Sequence, residues 1–218
     1  MVGTPTGAVA PAGFAHLTTL QARQMTADDF RDIVLRNPAN EALLDELLRL
    51  ELSDAWVVAG ALAQTIWNVK TGRPIGHGID DYDVFYFDPD LSWEAEDRVI
   101  ARFSETSARL GIRIEARNQA RVHLWYGQKH GVPYPALQCS TDGIDRFLTR
   151  CTQVGLQRGH DRDRVYAPAG FDELDAMIVR PNVTPNFSGT AYRKKTARWL
   201  SLWPELAIEA PLETEAPR

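Results

Sequence analysis

The amino-acid sequence predicts an α+β protein with a mixed β-sheet covered by helices and a smaller C-terminal α/β lobe. Segments with apolar residues at helical spacing alternate with short runs rich in β-branched and aromatic residues. Glycine, proline or aspartate lies at the ends of these runs. Beyond residue 131 the predicted elements become shorter, which sets the lobe apart from a larger core. A chain of 218 residues suits one domain with appendages, or two small lobes that share a core.

The N-terminal segment is predicted to be disordered, and helices follow it. Residues 1–22 carry no charged residue, but they lack the basic start of a signal peptide, and prolines and glycines interrupt their apolar stretch. We therefore predict disorder over residues 1–25. Thr26 is a suitable N-cap for a helix over residues 27–36, and Asn37-Pro38 starts a second helix.

A strand, a helix and another strand come next. Residues 55–58 form an apolar run that predicts a buried strand, and Gly60 ends it before a helix. Residues 72–80 are rich in glycine and predict a loop. Residues 82–87 are the strongest predicted strand, because they combine aromatic and β-branched residues and stop at a proline-containing turn.

The remaining elements begin with a long helix. Ser92 is predicted to cap this helix over residues 93–110. Two strands are then predicted, at 112–116 and 120–126, with a tight connection at Asn118-Gln119. The lobe is predicted to contain a helix near 142–150, strands near 153–157 and 164–167, and helices near 171–178 and 190–203.

Four parts of the chain follow from this order. They are a disordered N-terminus (1–25), a core (26–130), a C-terminal lobe packed on it (131–204) and an acidic tail (205–218). The tail holds four glutamates and one arginine, so it carries −3 of the formal net charge of −5.

The net charge of −5 argues against strong generic attraction to nucleic acid or to an anionic membrane. No apolar run approaches the length of a membrane helix, and two cysteines cannot build a disulfide framework. We expect a cytoplasmic protein without a membrane partner, whose oligomeric state the sequence leaves open.

Asp81 and Asp83 are the strongest candidates for catalytic residues. Side chains alternate between the faces of a strand, so these two aspartates are expected to project together at the start of strand 82–87. Two like charges so close raise a carboxyl pKa unless a cation lies between them. Mg²⁺ binds one or two carboxylates together with phosphate oxygens and water. An Asp-x-Asp spacing alone is more typical of a solvated strand start or turn, as at Asp88-Pro89-Asp90, so the context decides.

The context is a glycine turn upstream and a third carboxylate downstream. Gly60-Ala61 at a strand-to-helix turn lets a phosphate approach the backbone, where the N–H groups of a helix N-terminus bind anions. A plain tight turn is the alternative. Glu115 lies on a predicted strand, and a neighbouring strand would bring it beside Asp83 as a third metal ligand. Here the alternative is an exposed glutamate paired with an arginine of its own strand.

Arg121 and His123 are predicted to bind phosphate or an acceptor group. They share one face of the predicted strand 120–126, next to the strand that carries Glu115. A turn followed by a half-buried strand is the alternative interpretation. His77, in the glycine-rich loop, is either a substrate contact or an exposed side chain.

The helix 190–203 is both basic and aromatic. Its cations suit a triphosphate or an RNA backbone, and exposed aromatic rings would stack on bases. We favour an amphipathic helix instead, in which Trp199 and Trp203 pack on the core while the Lys and Arg heads are solvated.

The sequence resembles the polymerase-beta-type nucleotidyltransferase superfamily. This resemblance rests on three motifs in order along the chain. The first is a hydrophobic residue before Gly60-Ala61, the second is Asp81-Tyr82-Asp83-Val84, and the third is Ile114-Glu115-Ala116. It resembles more closely a little-characterised bacterial nucleotidyltransferase-like family, over most of residues 30–204. The closer match lies in three runs, Val58 to Asn68, Asn118 to Trp125 and Ile178 to Asn182.

The resemblance implies a nucleotidyltransferase fold and a metal-dependent reaction. Such an enzyme moves a nucleoside monophosphate from an NTP to an acceptor and releases pyrophosphate. Asp81, Asp83 and Glu115 are implied as catalytic ligands of Mg²⁺ or Mn²⁺, and Gly60 and Ala61 as binders of the nucleotide phosphates. Superfamily members usually carry Ser or Gly where this chain has Ala61, which offers only its backbone N–H.

The acceptor and the preferred base are not readable from the sequence. A small molecule, an RNA or a protein are all open as acceptors. Two other functions fit the same carboxylates. One is a non-catalytic nucleotide- or RNA-binding module, and the other is a metal-dependent phosphohydrolase.

Overall fold

The computed structural model describes residues 23–211. In chain order the elements are α1 Ala27–Val34, α2 Pro38–Leu50, β1 Trp56–Val58, α3 Gly60–Lys70, β2 Tyr82–Tyr86, α4 Trp93–Leu110, β3 Ile114–Asn118, a 3₁₀ turn Val122–Leu124, α5 Tyr126–His130, α6 Ser140–Ile144, a 3₁₀ turn Arg150–Thr152, β4 Gly155–Gln157, β5 Arg164–Tyr166, α7 Asp172–Asp175, β6 Ile178–Val179, α8 Gly189–Leu202 and β7 Ala207–Ile208. No helix in this range is both long and apolar enough to cross a bilayer.

Five strands form one mixed sheet, which confirms the predicted fold class. Their order is β3-β2-β1-β4-β5, and β6 and β7 form a separate pair. β2 and β3 run parallel, whereas β1 is antiparallel to β2 and to β4. A parallel pair needs a crossover connection. Here α4 supplies it, since it lies between β2 and β3 in the chain and packs against β3.

The two faces of this sheet are covered to different extents. Tyr82, Val84 and Tyr86 alternate along β2 and are buried on one face, within the main hydrophobic core. Asp83 and Phe85 belong to the other face and are half-buried. A smaller apolar cluster next to β1 and α6 covers that face in part. The side chains at the start of β2 therefore remain accessible to a ligand.

The predicted helix starts at Thr26, Asn37 and Ser92 are confirmed. The Thr26 hydroxyl accepts a hydrogen bond from Asp29 N at 3.1 Å, and the Asp29 carboxylate accepts one from Thr26 N at 2.9 Å. This capping box satisfies two N–H groups of α1 reciprocally. Asn37 also donates from Nδ2 to the Tyr82 hydroxyl at 3.3 Å, which ties the start of α2 to β2.

The predicted strand over residues 120–126 is wrong. β3 extends to Asn118, and the chain then turns into a 3₁₀ turn and α5. The Asn118 side chain explains this turn. Its Oδ1 accepts from the backbone N of Asp88 at 3.0 Å and of Ala120 at 3.1 Å, and its Nδ2 donates to the Asp88 carbonyl at 2.9 Å. Because these bonds fix the chain locally, the hairpin that the sequence suggested does not form.

Residues 131–204 contribute to the same sheet as the predicted core. β4 pairs with β1, and β5 pairs with β4, so both strands extend the sheet that contains β2. The helix predicted near 142–150 is shorter than expected, since α6 ends at Ile144. The helix predicted near 171–178 is reduced to α7.

Both ends of the chain differ from the predicted boundaries. Met25 packs against the core, whereas the predicted disorder of residues 1–22 lies outside the described residues. The first residues of the predicted acidic tail belong to the fold, because β7 pairs with β6 and Glu205 forms a 2.9 Å ion pair with Arg73. The end of the tail, from residue 212, is also outside the described range.

The loop 72–80, which leads into β2, is fixed by α3 and α8. Asn68 Nδ2 donates to two loop carbonyl oxygens at 2.9 and 3.0 Å, and Asn68 Oδ1 accepts from Trp203 Nε1 at 2.9 Å. Trp203 also lies against Gly78, whose φ is +70° and where a Cβ would meet Trp203 Cη2 at 2.6 Å. Trp199 and Trp203 are buried, which confirms the predicted packing of this helix on the core.

Candidate active site

Asp83 and Glu115 lie side by side on adjacent strands. β2 and β3 run parallel, and their register pairs Asp83 with Glu115. Paired residues of neighbouring strands share a face, so both carboxylates lie on the partly covered side of the sheet. Asp81 precedes Asp83 by two residues, immediately before β2 begins. The predicted placement of Glu115 beside Asp83 is therefore confirmed.

One arginine spans the outer carboxylates. Arg113 donates from Nη2 to Asp81 Oδ2 at 2.5 Å, and the same nitrogen lies 3.0 Å from Glu115 Oε1. Glu115 thus adjoins Asp83 and also pairs with an arginine that lies two residues earlier in the chain, whereas its role as a metal ligand stays a prediction. The Arg113 side chain is 61% exposed, and ion pairs this exposed contribute little to stability because solvent screens them. A stronger ligand of the two carboxylates can displace it.

Asp83 is the electrostatically unusual member of the group. Burial, together with the neighbouring negative charges of Asp81 and Glu115, raises the pKa of Asp83 to about 6. Lys195 and Arg117 act in the opposite direction, because their positive charges favour the ionised form. A carboxylate that is costly to ionise in the free protein is one that a cation would stabilise.

The carboxylates fit a hard divalent cation. Asp81 and Asp83 offer oxygen ligands two residues apart on one strand, with Glu115 beside them. Within residues 23–211 no group of three histidine, cysteine, aspartate or glutamate side chains is placed to hold a metal ion. Mg²⁺ commonly takes only one or two carboxylates and fills its octahedral shell with phosphate oxygens and water. The donor set therefore suits an ion that is shared with a bound phosphate.

The glycine turn lies next to the carboxylates. Val58, the last residue of β1, pairs with Asp83, and α3 begins two residues later at Gly60. A Cβ at Gly60 would meet only the Gln64 side-chain amide, at 3.0 Å. A side chain at residue 60 would therefore require the Gln64 amide to move by a few tenths of an ångström. The first N–H groups of a helix lack partners within the helix, and such groups bind anions.

Ala59, between the strand and this helix, has a backbone conformation that alanine rarely adopts. Its φ is +56° and its ψ is −120°, and it is 1% exposed. Its N–H donates to the Val154 carbonyl at 3.0 Å, and its carbonyl accepts from Ala63 N at 3.1 Å. Such strain costs on the order of 1–3 kcal/mol and is concentrated at functional sites. The sequence offered no signal for it, because alanine is compatible with an ordinary strand end.

Ala59→Gly is expected to change the free energy of unfolding by less than about 1 kcal/mol. Relief of the strained φ stabilises the folded state. The loss of a buried methyl, about 0.8 kcal/mol, and the greater freedom of the unfolded chain act in the opposite direction. Ala63→Gly is the matched control, because Ala63 is fully buried in the middle of α3. That control is expected to lose about 2 kcal/mol from the missing methyl and the poorer helix propensity. Urea denaturation measures both, and equal losses would show that Ala59 is not strained.

Arg121 and His123 lie in a different setting from the predicted strand face. Arg121 is buried, forms an ion pair with Glu96, and donates from Nε to the Leu91 carbonyl at 3.0 Å. Its guanidinium also lies 5.4 Å from the centre of the Trp93 ring. These partners make Arg121 part of the packing between α4 and the end of β3, and the structure does not bring it to the carboxylates. His123 is half-buried in the 3₁₀ turn after Arg121.

The structure brings two cations, Arg117 and Lys195, to the candidate active site. Arg117 follows Glu115 by two residues on β3, so the alternation of the strand was a usable signal. Lys195 comes from α8, more than a hundred residues from Asp83 in the chain, and only the fold brings it near. Within residues 23–211 its Nζ has no carboxylate within 4 Å and lies 5.1 Å from the centre of the Trp199 ring.

His77 packs edge-on against Trp203, with 5.6 Å between ring centres.

The fold and the carboxylates together define a protein of the nucleotidyltransferase class. A structure solved by NMR, which is described as revealing a CCA-adding enzyme head domain, superposes on this chain with a TM-score of 0.69. The match covers 85% of this chain and 97% of that one at 23% sequence identity, a likeness that shows the fold. No curated protein matches the chain.

A family model described as nucleotidyltransferase matches residues 45–208. That range contains the Gly60 turn, both aspartates and Glu115. The chain belongs to this nucleotidyltransferase family.

Proposed function

We propose that this protein transfers a nucleoside monophosphate from an NTP to an acceptor hydroxyl, with release of pyrophosphate, and depends on Mg²⁺ or Mn²⁺. The observation that carries the proposal is the parallel register of Asp83 with Glu115, one pleat from Asp81 and next to the Gly60 turn. The acceptor hydroxyl gives up its proton to water, and its oxygen bonds to the α-phosphorus. The bond from that phosphorus to the bridging oxygen breaks at the same time, and pyrophosphate leaves.

The chain's own residues supply binding, orientation and charge compensation. The backbone N–H groups of Gly60 and Ala61 bind the outer phosphates, and Ala61 contributes no hydroxyl. Lys195 and Arg117 offset the negative charge that collects around Asp83. A divalent ion held by Asp81 and Asp83, with Glu115 as a third ligand once Arg113 is displaced, would neutralise charge on the phosphates and on the departing pyrophosphate. Such catalysis consists mainly of positioning and electrostatic stabilisation.

A second candidate function is a nucleotide- or RNA-binding module without catalysis. Two observations favour it, namely the missing hydroxyl at Ala61 and the Arg113 side chain that already spans Asp81 and Glu115. Calorimetry separates the two functions. An enzyme is expected to bind NTP more tightly with Mg²⁺ than without it, whereas equal binding under both conditions would favour the module.

Asp81→Asn is expected to abolish transfer while the fold is retained. Purified protein is incubated with each of the four α-labelled NTPs, Mg²⁺ and fractions of a cell lysate, and labelled product and pyrophosphate are measured. We expect at least about a thousand-fold loss, because one of the two strand carboxylates no longer holds the cation. Undiminished labelling by this variant would sink the proposal, and release of inorganic phosphate alone would indicate a phosphohydrolase.

The labelled fraction in the same experiment identifies the acceptor class. The similar NMR structure is described as revealing a CCA-adding enzyme head domain, so RNA is the first fraction to examine. Small molecules and proteins are compared in parallel.

A further inference from the structure

A cavity of about 230 Å³ lies on the same face of the sheet as the carboxylates. Phe85 follows Asp83 by two residues, and Arg117 follows Glu115 by two, so both lie one pleat further along that face. Arg117 and Lys195 line this cavity and are also the cations that act on Asp83. The cavity therefore adjoins the candidate active site on the side away from the Gly60 turn.

The cavity wall consists largely of aromatic rings. Phe85 stacks on Phe147, with 5.3 Å between ring centres and 30° between planes. Tyr126 and Tyr134 are 4.4 Å apart, and Trp125 lies 5.7 Å from Tyr126. All five rings line the same space. Aromatic walls of this kind stack on planar heterocycles, and bases splayed onto aromatic side chains are a common mode of nucleotide recognition.

The wall also carries hydrogen-bonding groups without partners. Gln119 is 1% exposed and donates from Nε2 to the Arg117 carbonyl at 3.3 Å, but within residues 23–211 its Oε1 accepts no hydrogen bond. The Nε of Arg146, in the same wall, is likewise buried without an acceptor among these residues. Gly143 lets the Gln119 amide approach closely, since any Cβ there would overlap Oε1. A buried polar atom left unpaired costs about 1–3 kcal/mol. Both side chains line the cavity, so a ligand that enters it lies next to an amide and a guanidinium.

The size of the cavity limits what it can hold. Sites for a whole drug-sized ligand usually measure about 300–1,000 Å³, so a volume of about 230 Å³ suits one ring system of a larger molecule. A nucleobase is planar, presents hydrogen-bond donors and acceptors on its edge, and is joined to phosphates. The adjoining cations and carboxylates match that attachment.

We propose that this cavity is the base-recognition subsite of the enzyme, in which the aromatic walls stack on a nucleobase and Gln119 reads its edge. The proposal rests on the proposed function of the neighbouring carboxylates. The base belongs either to the donor NTP or to the terminal nucleotide of an acceptor, since both bring the same chemistry to the same place.

Trp125→Ala tests the proposal, because this half-buried side chain lines the cavity and is not part of the core. Trp93→Ala is the matched control, since Trp93 is 63% exposed on α4 and lies outside the cavity. Calorimetry with Mg²⁺ measures the binding of the four NTPs, of base-free tripolyphosphate and of a set of dinucleoside monophosphates as acceptor mimics. Stacking contributes about 1–3 kcal/mol per base, so we expect Trp125→Ala to weaken nucleotide binding by about 5- to 150-fold and to leave tripolyphosphate binding unchanged.

Each outcome of this experiment supports the proposal or overturns it. Weaker NTP binding assigns the cavity to the donor base, and weaker binding of the dinucleoside probes alone assigns it to an acceptor base. Identical behaviour of the two tryptophan variants toward every probe would overturn the proposal. Tryptophan-dependent NTP binding without any transfer would instead refute the proposed catalytic function and leave the subsite standing.

Gln119→Leu provides a second measurement that does not depend on stacking. This variant keeps approximately the size of the side chain and removes the Oε1 acceptor, which has no partner among residues 23–211. The order of preference among the four NTPs, or among the four dinucleoside probes, is expected to change by at least about tenfold. An unchanged order for both sets would show that Gln119 does not read the base.

Discussion

Asp83→Asn is expected to stabilise the metal-free protein while it abolishes nucleotidyl transfer. At pH 8 the free energy of unfolding should rise by roughly 1–3 kcal/mol, because ionised Asp83 is held beside two other carboxylates in a half-buried position. Transfer should fall by at least about a thousand-fold, since asparagine holds a divalent cation poorly. Most substitutions at half-buried sites destabilise, so a gain in stability together with lost activity is a distinctive result.

The pH dependence of this effect has a definite sign. The pKa of Asp83 is about 6 in the folded protein, against an ordinary value of 3.8. A raised carboxyl pKa means that the folded state binds the proton more tightly than the unfolded state does. Ionisation of Asp83 therefore destabilises the folded state. This destabilisation is near zero below about pH 4, grows as the pH rises to about 6, and is constant above about pH 7. The difference between Asp83→Asn and the wild type should be near zero at pH 4 and largest above pH 7.

Asp90→Asn is the matched control for this experiment. Asp90 belongs to the Asp-x-Asp spacing at residues 88–90, and hydrogen bonds from Ser92 hold its pKa below the ordinary value. A carboxyl of this kind favours the folded state when it is ionised, so its removal cannot stabilise the protein at pH 8. Urea denaturation at pH 4, 6 and 8 measures all three proteins. A stability of Asp83→Asn that never exceeds that of the wild type would contradict the account of Asp83.

The comparison of Asp83 with Asp90 also shows what the sequence was able to predict. Both aspartates have the same spacing pattern, and the sequence separated them only because a proline follows Asp88 and a strand follows Asp81. Local rules of this kind predicted the helix caps, the long helix α4 and the strand β2 correctly. They also placed Glu115 on a strand, but they left the direction of that strand relative to β2 open. The structure shows a parallel pair, for which α4 provides the crossover.

Features that depend on distant contacts were not predictable from local patterns. Residues 120–126 have the composition of a strand, but Asn118 fixes a turn with the backbone of Asp88, thirty residues earlier. Arg121 looked like a phosphate ligand, yet Glu96 on α4 holds it in the packing. Lys195 reaches the site only because α8 packs against α3 through buried tryptophans. The cavity beside the carboxylates likewise combines residues from β2, β3, α5 and α6, which no single segment reveals.

Gly60→Ala is expected to separate binding of the nucleotide from stability of the fold. A Cβ at this position would meet the buried amide of Gln64 at 3.0 Å, so that amide must move by a few tenths of an ångström. This cost is offset by the helix propensity of alanine, which exceeds that of glycine by about 1 kcal/mol. The free energy of unfolding should therefore be unchanged or slightly higher. The added methyl would occupy the space through which a phosphate approaches the backbone at the start of α3, and a displacement of about 1 Å at a reacting centre can cost a hundred-fold in rate. We expect kcat/KM for the NTP to fall by about a hundred-fold or more.

Gly111→Ala is expected to show the opposite pattern and serves as the control for Gly60→Ala. Gly111 is exposed and ends α4 with a φ of +66°, and a Cβ there would contact nothing within 4 Å. Alanine is strained at this φ, so the variant should lose about 1 kcal/mol of stability but keep the kcat/KM of the wild type per folded molecule. If Gly60→Ala instead destabilised the protein and kept its kcat/KM, the glycine would serve only the turn. The sheet register places the start of α3 beside Asp83, which makes it the predicted phosphate-binding site. That result would show that the phosphates bind elsewhere.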